Sequence, residues 1–301
     1  MVRQEPAKLP SPVQIWVPPS ITSVIVLYLI ATPIGNLEDI TLRAINTLKL
    51  CEYILCEDTR HSRKLLDHYQ INKPLKSYHR FNEKGREEEC LDALRKGLNI
   101  ALISDAGTPG ISDPGMLLVR ACQRENLPYT TIPGPCAAIA ALTLAGFDAH
   151  SFQFVGFLPK KSTELDKELE NLLSYSGTTI CYEAPHRILE TLQKIAVIAS
   201  DRKLCIAREL TKTFEECLFG TASELLQHFS NHPPRGEMVL LFAGAEISKD
   251  NSQDLLNEDV RFLQERFSLS LSQAIKAVAK LRGHSKRDLY RSAHDNQDVS
   301  S

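Results

Sequence analysis

The chain has 301 residues, enough for two domains of ordinary size, and 43% hydrophobic with 24% charged residues is the composition of a folded globular protein. A net charge of −2 excludes a protein that grips nucleic acid through overall charge, while leaving room for a local basic face. The eight cysteines include no Cys-x-x-Cys pair, which argues against a zinc site and a disulfide framework and for reduced, buried thiols in a cytoplasmic protein.

Residues 1–23 are Pro-rich, carry Arg3 and Lys8, and lack the apolar stretch and cleavage site of a signal peptide, so they read as a disordered extension. The longest apolar run, residues 24–31, is far too short to span a bilayer, so no membrane partner is expected. It reads as a strand leading into the loop Thr32-Pro-Ile-Gly-Asn36. Residues 37–50 have helical spacing (Ile40, Ala44, Ile45, Leu48), 53–56 read as a strand and 59–69 as a helix. His79, Asn82 and Glu83 fall in a polar stretch without strong periodicity.

Residues 99–104 form a short apolar run that reads as a buried parallel strand. They feed Asp105-Ala-Gly-Thr-Pro-Gly-Ile-Ser-Asp-Pro-Gly115, whose glycines and prolines impose an unusual backbone path. Such a loop leaves peptide groups free to hold a ligand at the carboxyl end of a strand. A helix over 116–125, a strand over 129–132 and the turn Ile132-Pro-Gly-Pro-Cys136 follow, then an Ala-rich helix over 136–145. Neither Pro/Gly loop fits the dinucleotide fingerprint, and no Walker A lysine loop is present. Each of the loops 33–36, 105–115 and 133–135 leaves a predicted strand, and their convergence on one crevice tells more than any one of them.

The second half alternates strands (151–157, 178–183, 203–207, 215–219, 238–243) with helices (164–173, 187–198, 222–229). The connection between 207 and 215 is too short for a helical crossover, so a mixed sheet is expected. Residues 246–257 are polar and read as a linker. Beyond them a small helical module is expected over 258–296. It comprises a helix over 270–282 ended by Gly283 and a final helix capped by Ser285 and Asp288. From Lys276 to Arg291 this module carries Lys276, Lys280, Arg282, Lys286, Arg287 and Arg291 against the acid Asp288. That is either a solvated helix face or an RNA- or DNA-contacting surface.

Several segments carry a resemblance: Ala31-Thr-Pro-Ile-Gly-Asn-Leu37, Cys56-Glu-Asp-Thr-Arg60, Tyr78-His-Arg-Phe-Asn-Glu83 and the loop 104–115. Further on come Phe157-Leu-Pro-Lys160, Tyr182-Glu-Ala-Pro-His-Arg187, Arg208-Glu-Leu-Thr-Lys212 and Arg235-Gly-Glu-Met238. In order and at family spacing over 25–245, they make the chain resemble the tetrapyrrole-methylase superfamily. Within it the match is to the ribosomal RNA small subunit methyltransferase I branch.

The resemblance implies an α/β, two-domain fold (24–134 and 135–245) with S-adenosyl-L-methionine (SAM) in the cleft between the domains, plus the C-terminal helical module. It assigns cofactor contacts to Pro33, Gly35, Asp105, Ala106, Gly107, Thr108, Ile111, Asp113, Cys136, Ala137, Glu183 and Leu210, and no metal. It further implies 2′-O-methylation of a decoding-centre cytidine in 16S rRNA, with free rRNA or the 30S subunit as partner, and a homodimer. A tetrapyrrole C-methyltransferase and a non-catalytic RNA-binding assembly factor are the alternatives, and the basic module disfavours the first. A ribose hydroxyl is a weak nucleophile, and Glu57, Arg60 and His79 are the candidates to assist it. Arg60 and Arg80 could hold phosphates, and Lys160 and Lys212 could contact RNA.

Overall fold

The computed structural model of the chain describes residues 26–245, 249–282 and 285. The extension at 1–23, the residues Lys286, Arg287 and Arg291, the side chain of Arg282, and the expected final helix lie outside what is described.

The first half runs β1 (Leu27–Ile30), α1 (Leu42–Leu50), β2 (Tyr53–Cys56), α2 (Thr59–His68), β3 (Leu75–Ser77), α3 (Glu83–Arg95), β4 (Ile100–Ile103), α4 (Met116–Glu125) and β5 (Tyr129–Ile132). The strands form a five-stranded, all-parallel sheet in the order β3-β2-β4-β1-β5. Its central strands are apolar throughout because helices cover both faces. Leu27, Leu55 and Leu102 point to a core with Leu91, Leu94 and Leu118. Ile30, Ile54 and Ile103 point the other way, to Ala44, Leu48 and Leu66.

The second half runs α5 (Ala137–Ala145), β6 (Phe152–Phe157), α6 (Ser162–Ser174), β7 (Thr178–Glu183), α7 (Ile188–Ile198), β8 (Leu204–Arg208), β9 (Glu216–Gly220), α8 (Ala222–Asn231) and β10 (Met238–Phe242). The sheet order is β6-β7-β10-β8-β9, with β6 parallel to β7 and the other pairs antiparallel, so the sheet is mixed. Cys181, Ile206 and Leu240 face a core with Leu169, Leu192 and Leu225. Ile180, Cys205 and Leu241 face α5 through Ala138, Ala141 and Leu142. Both sheets belong to one compact unit, which among the described residues takes in 26–173 and 178–243.

The other unit, among the described residues, joins 174–177 to 244–245, 249–282 and 285. In it α9 (Lys249–Phe267) and α10 (Leu271–Arg282) pack through Leu256 and Val260 against Ala274, Ile275 and Val278. Ser270 caps α10, exchanging bonds with Gln273. Lys276 and Lys280 lie exposed on the face away from that core.

Three expectations need correction. The polar stretch 246–257 is no linker from Lys249 onward: it is the first half of α9, which packs on α10 through Leu256. The helix over 37–50 is broken. Leu37–Asp39 form a 3-10 turn, and α1 starts at Leu42 because Thr41 accepts from the Ala44 amide at 3.0 Å. The stretch around His79 and Asn82 joins β3 to α3, whose first residue is Glu83, and neither element was expected. In α3 the buried Cys90, Leu91, Ala93 and Leu94 fall entirely in the second half of the helix.

Candidate active site

The three Pro/Gly loops leave the carboxyl ends of β4, β1 and β5, which are adjacent strands, so parallel pairing delivers them to one place. Backbone bonds stitch them together. The Thr32 amide donates to the Gly107 carbonyl at 2.8 Å, and the Gly107 amide returns a bond to the Thr32 carbonyl at 3.0 Å. The Thr108 hydroxyl donates to the Pro135 carbonyl at 3.1 Å. Gly107 sits at φ +77°, a conformation a β-branched side chain adopts only under strain.

Loops after β2 and β3 extend the rim. The Asp58 amide donates to Asp105 Oδ1 at 3.1 Å, and Arg80 donates to the Ser112 carbonyl at 2.6 Å. The Arg80 loop is itself fixed by Asn82, which accepts from the His79 amide at 2.7 Å and donates to the Ser77 carbonyl at 3.1 Å.

The second sheet presents one row of its register, Glu183 on β7, Met238 on β10 and Arg208 on β8. The hairpin after β8 carries Glu209 at φ 50° and Thr211 at φ 63°. Lys212 locks it by bonding Glu209 at 3.0 Å and Glu237 at 2.9 Å. Burial disfavours the Lys212 charge, but the bonds to Glu237 and Glu209 outweigh it and raise its pKa.

These parts enclose a cavity of about 460 Å³, within the range of small-molecule sites. Asp105, Ala106, Gly107, Thr108, Ile111, Asp113, Cys136, Ala137, Glu183 and Leu210 line it, as does Glu57. The Glu183 side chain has no exposure, its oxygens taken by Thr191 Oγ1 at 2.9 Å and the Ala184 amide at 2.8 Å. What Glu183 offers the cavity is main chain. Cys136 caps α5 with no side-chain bond, and burial pushes the Tyr182 hydroxyl up to about 12.

The structure does not bring four expected residues to the cavity. Pro33 is buried beside it, and Ile34 takes the lining position. A Cβ on Gly35 would stand 2.6 Å from Lys212 Cγ and 2.7 Å from the Leu210 carbonyl oxygen, so this glycine serves loop-to-hairpin contact. Arg60, in the first turn of α2, folds back onto the cap residue Asp58 at 2.9 Å and lowers that carboxyl to about 2. The His79 ring packs edge-on to Phe81; its Nδ1 is buried without a hydrogen-bond partner among the described residues. Lys212, bonded to two carboxylates, is not free for RNA.

Sequence reasoning gave no cavity role to Ser112, Phe157, Tyr182, Glu237 or Met238. All five lie in the segments that carry the resemblance, so the segments were visible and the individual contacts were not.

Two α/β sheets with backbone-rich loops thus enclose one acid-lined cleft. The chain belongs to the tetrapyrrole (corrin/porphyrin) methylase family, whose model it matches over residues 26–226. It is 45% identical to a ribosomal RNA small subunit methyltransferase I of Synechocystis over 268 residues, 88% of this chain and 96% of that one. With the protein of that name from Haemophilus influenzae it shares 44% identity, covering 88% and 95% of the two chains. Among solved structures it is similar in fold to a cobalt precorrin-4 methyltransferase, with TM-score 0.57 and 16% identity over 73% of this chain and 95% of that one. A uroporphyrin-III C-methyltransferase from Thermus thermophilus gives TM-score 0.53 and 19% identity over 73% and 94%.

The cofactor is SAM, and the residues fit it. The cavity has apolar walls at Ile34, Ile111, Leu210 and Val239 and carboxylates at Glu57 and Asp105, matching a ligand with an apolar-faced base and a sulfonium cation.

Proposed function

We propose that this protein is a SAM-dependent 16S rRNA methyltransferase that modifies the ribose 2′-hydroxyl of a decoding-centre cytidine. The observation that carries the reading is full-length similarity. Relatives named ribosomal RNA small subunit methyltransferase I match 88% of the chain, whereas the tetrapyrrole enzymes cover 73%. Two surface features support an RNA substrate. Phe81 is 98% exposed beside Arg80, whose guanidinium bonds a carbonyl at the cavity rim. An exposed ring next to a cation suits an unstacked base and its phosphate. Lys276 and Lys280 add positive charge on α10, and phosphate contacts set register on RNA.

In this reading the lining residues of the three loops, with Glu183 and Leu210, hold the cofactor through main-chain groups. SAM supplies a methyl group on a sulfonium, which transfers by in-line displacement. The protein aligns the attacking hydroxyl at near-attack distance and excludes water. Of the groups expected to assist the hydroxyl, Glu57 reaches the cavity. We further propose a homodimer acting in the cytoplasm, where small subunits are assembled.

The test is transfer of radiolabelled methyl from SAM to 30S subunits and to free 16S rRNA from cells lacking the protein. Label on the decoding-centre cytidine, in a linkage resistant to alkaline cleavage, is expected. Alkali-sensitive label, or label only on a tetrapyrrole, would overturn the reading. Gly107→Val should abolish SAM binding in calorimetry, because valine cannot adopt the φ +77° backbone without moving the loop.

A further inference from the structure

The carboxylates lining the cavity differ in what they are free to do. Asp105 accepts from the Asp58 amide, Glu183 is sealed by Thr191 and Ala184, and Glu237 is paired with Lys212. Glu57 and Asp113 remain, lining the cavity with no hydrogen-bond donor to either carboxylate among the described residues.

Asp113 is the more firmly built in. It follows Ser112, a non-glycine residue at φ 65° whose carbonyl is held by Arg80 at 2.6 Å. Ser112 Oγ would stand 3.1 Å from a Cβ on Gly156, so β6 approaches this turn closely. Strained backbone held by its surroundings is characteristic of functional positions.

We propose that Asp113 is the proton acceptor of methyl transfer, taking the proton of the attacking hydroxyl. This rests on the reading of the protein as an RNA ribose methyltransferase. The hydroxyl oxygen forms a bond to the methyl carbon as the carbon–sulfur bond breaks and its electron pair stays on sulfur. The hydroxyl proton passes to an Asp113 carboxylate oxygen and later to water. S-adenosylhomocysteine and methylated RNA are the products.

The surroundings give the carboxylate the required basicity. Burial raises Asp113 to about 6; Glu57 after β2 and Asp105 after β4 also raise it, and Arg80 after β3 opposes them. Tyr182 on β7 faces it from the second sheet. A base with a pKa near the working pH combines the right protonation state with useful strength.

The experiment compares wild type, Asp113→Asn and Glu57→Gln in single-turnover methyl transfer to 30S subunits between pH 5 and 8.5, with SAM affinity measured separately. The wild-type rate should climb about tenfold per pH unit below about pH 6 and level above it. Asp113→Asn should lose at least about 100-fold in rate, show no acid limb and keep SAM affinity within about threefold. Glu57→Gln should move the limb to lower pH, because it removes a charge that holds the proton on Asp113.

Heat denaturation of the ligand-free protein gives a readout independent of turnover. Asp113→Asn should raise Tm at pH 8 and leave it unchanged at pH 4. An Asp113→Asn enzyme with a wild-type rate, an acid limb that persists in it, or an equal loss in SAM affinity would each overturn the proposal alone. Wild type that labels no ribose would overturn the functional reading and this proposal with it.

Discussion

Gly35 shows how one missing methyl group can hold a site together. Its neighbours are the Leu210 carbonyl and Lys212, and the Asn36 amide beside it donates to Thr211 Oγ1 at 3.0 Å. Gly35→Ala forces the loop off the hairpin. The expected cost is about 1–3 kcal/mol in urea unfolding, as for overpacking elsewhere, together with weaker SAM binding because Leu210 lines the cavity. Asp113 shows the opposite trade. Its carboxyl is raised to about 6, so between the unfolded value near 4 and that value the native state binds more protons than the unfolded chain. The stability it contributes is therefore full below pH 4 and lost as pH rises through about 6. At neutral pH the charged side chain opposes folding, and removing the charge stabilises the protein while disabling it.

At the scale of elements, the order of strands matters more than their existence. β1 and β4 were legible as apolar runs, and so was each Pro/Gly loop. That β4, β1 and β5 are neighbours was not, because strand order depends on crossovers no local pattern records. β3 and α3 were missed for a different reason. β3 is three residues long and only half-buried, and the first half of α3 buries nothing, so neither has a period to read. The segment between them still fixes the rim. Asn82→Ala removes its bonds to the His79 amide and the Ser77 carbonyl. It should cost about 1–2 kcal/mol at ordinary hydrogen-bond values and lower the methyl-transfer rate through loss of the Arg80–Ser112 contact, with SAM affinity little changed. Denaturation curves beside a full kinetic analysis check this.

For the whole molecule, substrate size divides the labour. Expectation from sequence located the basic residues but set the module's start too late, because the first turns of α9 are polar and look like a linker. Lys276 and Lys280 are one turn apart on α10, away from the apolar contact with α9. Replacing both with alanine should weaken RNA binding, reduce the dependence of log K on log salt by roughly one to two charges, and leave SAM binding intact. Filter binding across salt concentrations, beside calorimetry with SAM, separates the two effects. The junction between Gly35 and the strained hairpin has a consequence for time as well as energy. The Asn36 amide is bonded to a hydroxyl some 175 positions further along the chain, so its hydrogen is released to solvent when that junction opens. In deuterium exchange it is a built-in clock for opening of the cleft, one that cofactor should slow and Gly35→Ala should speed.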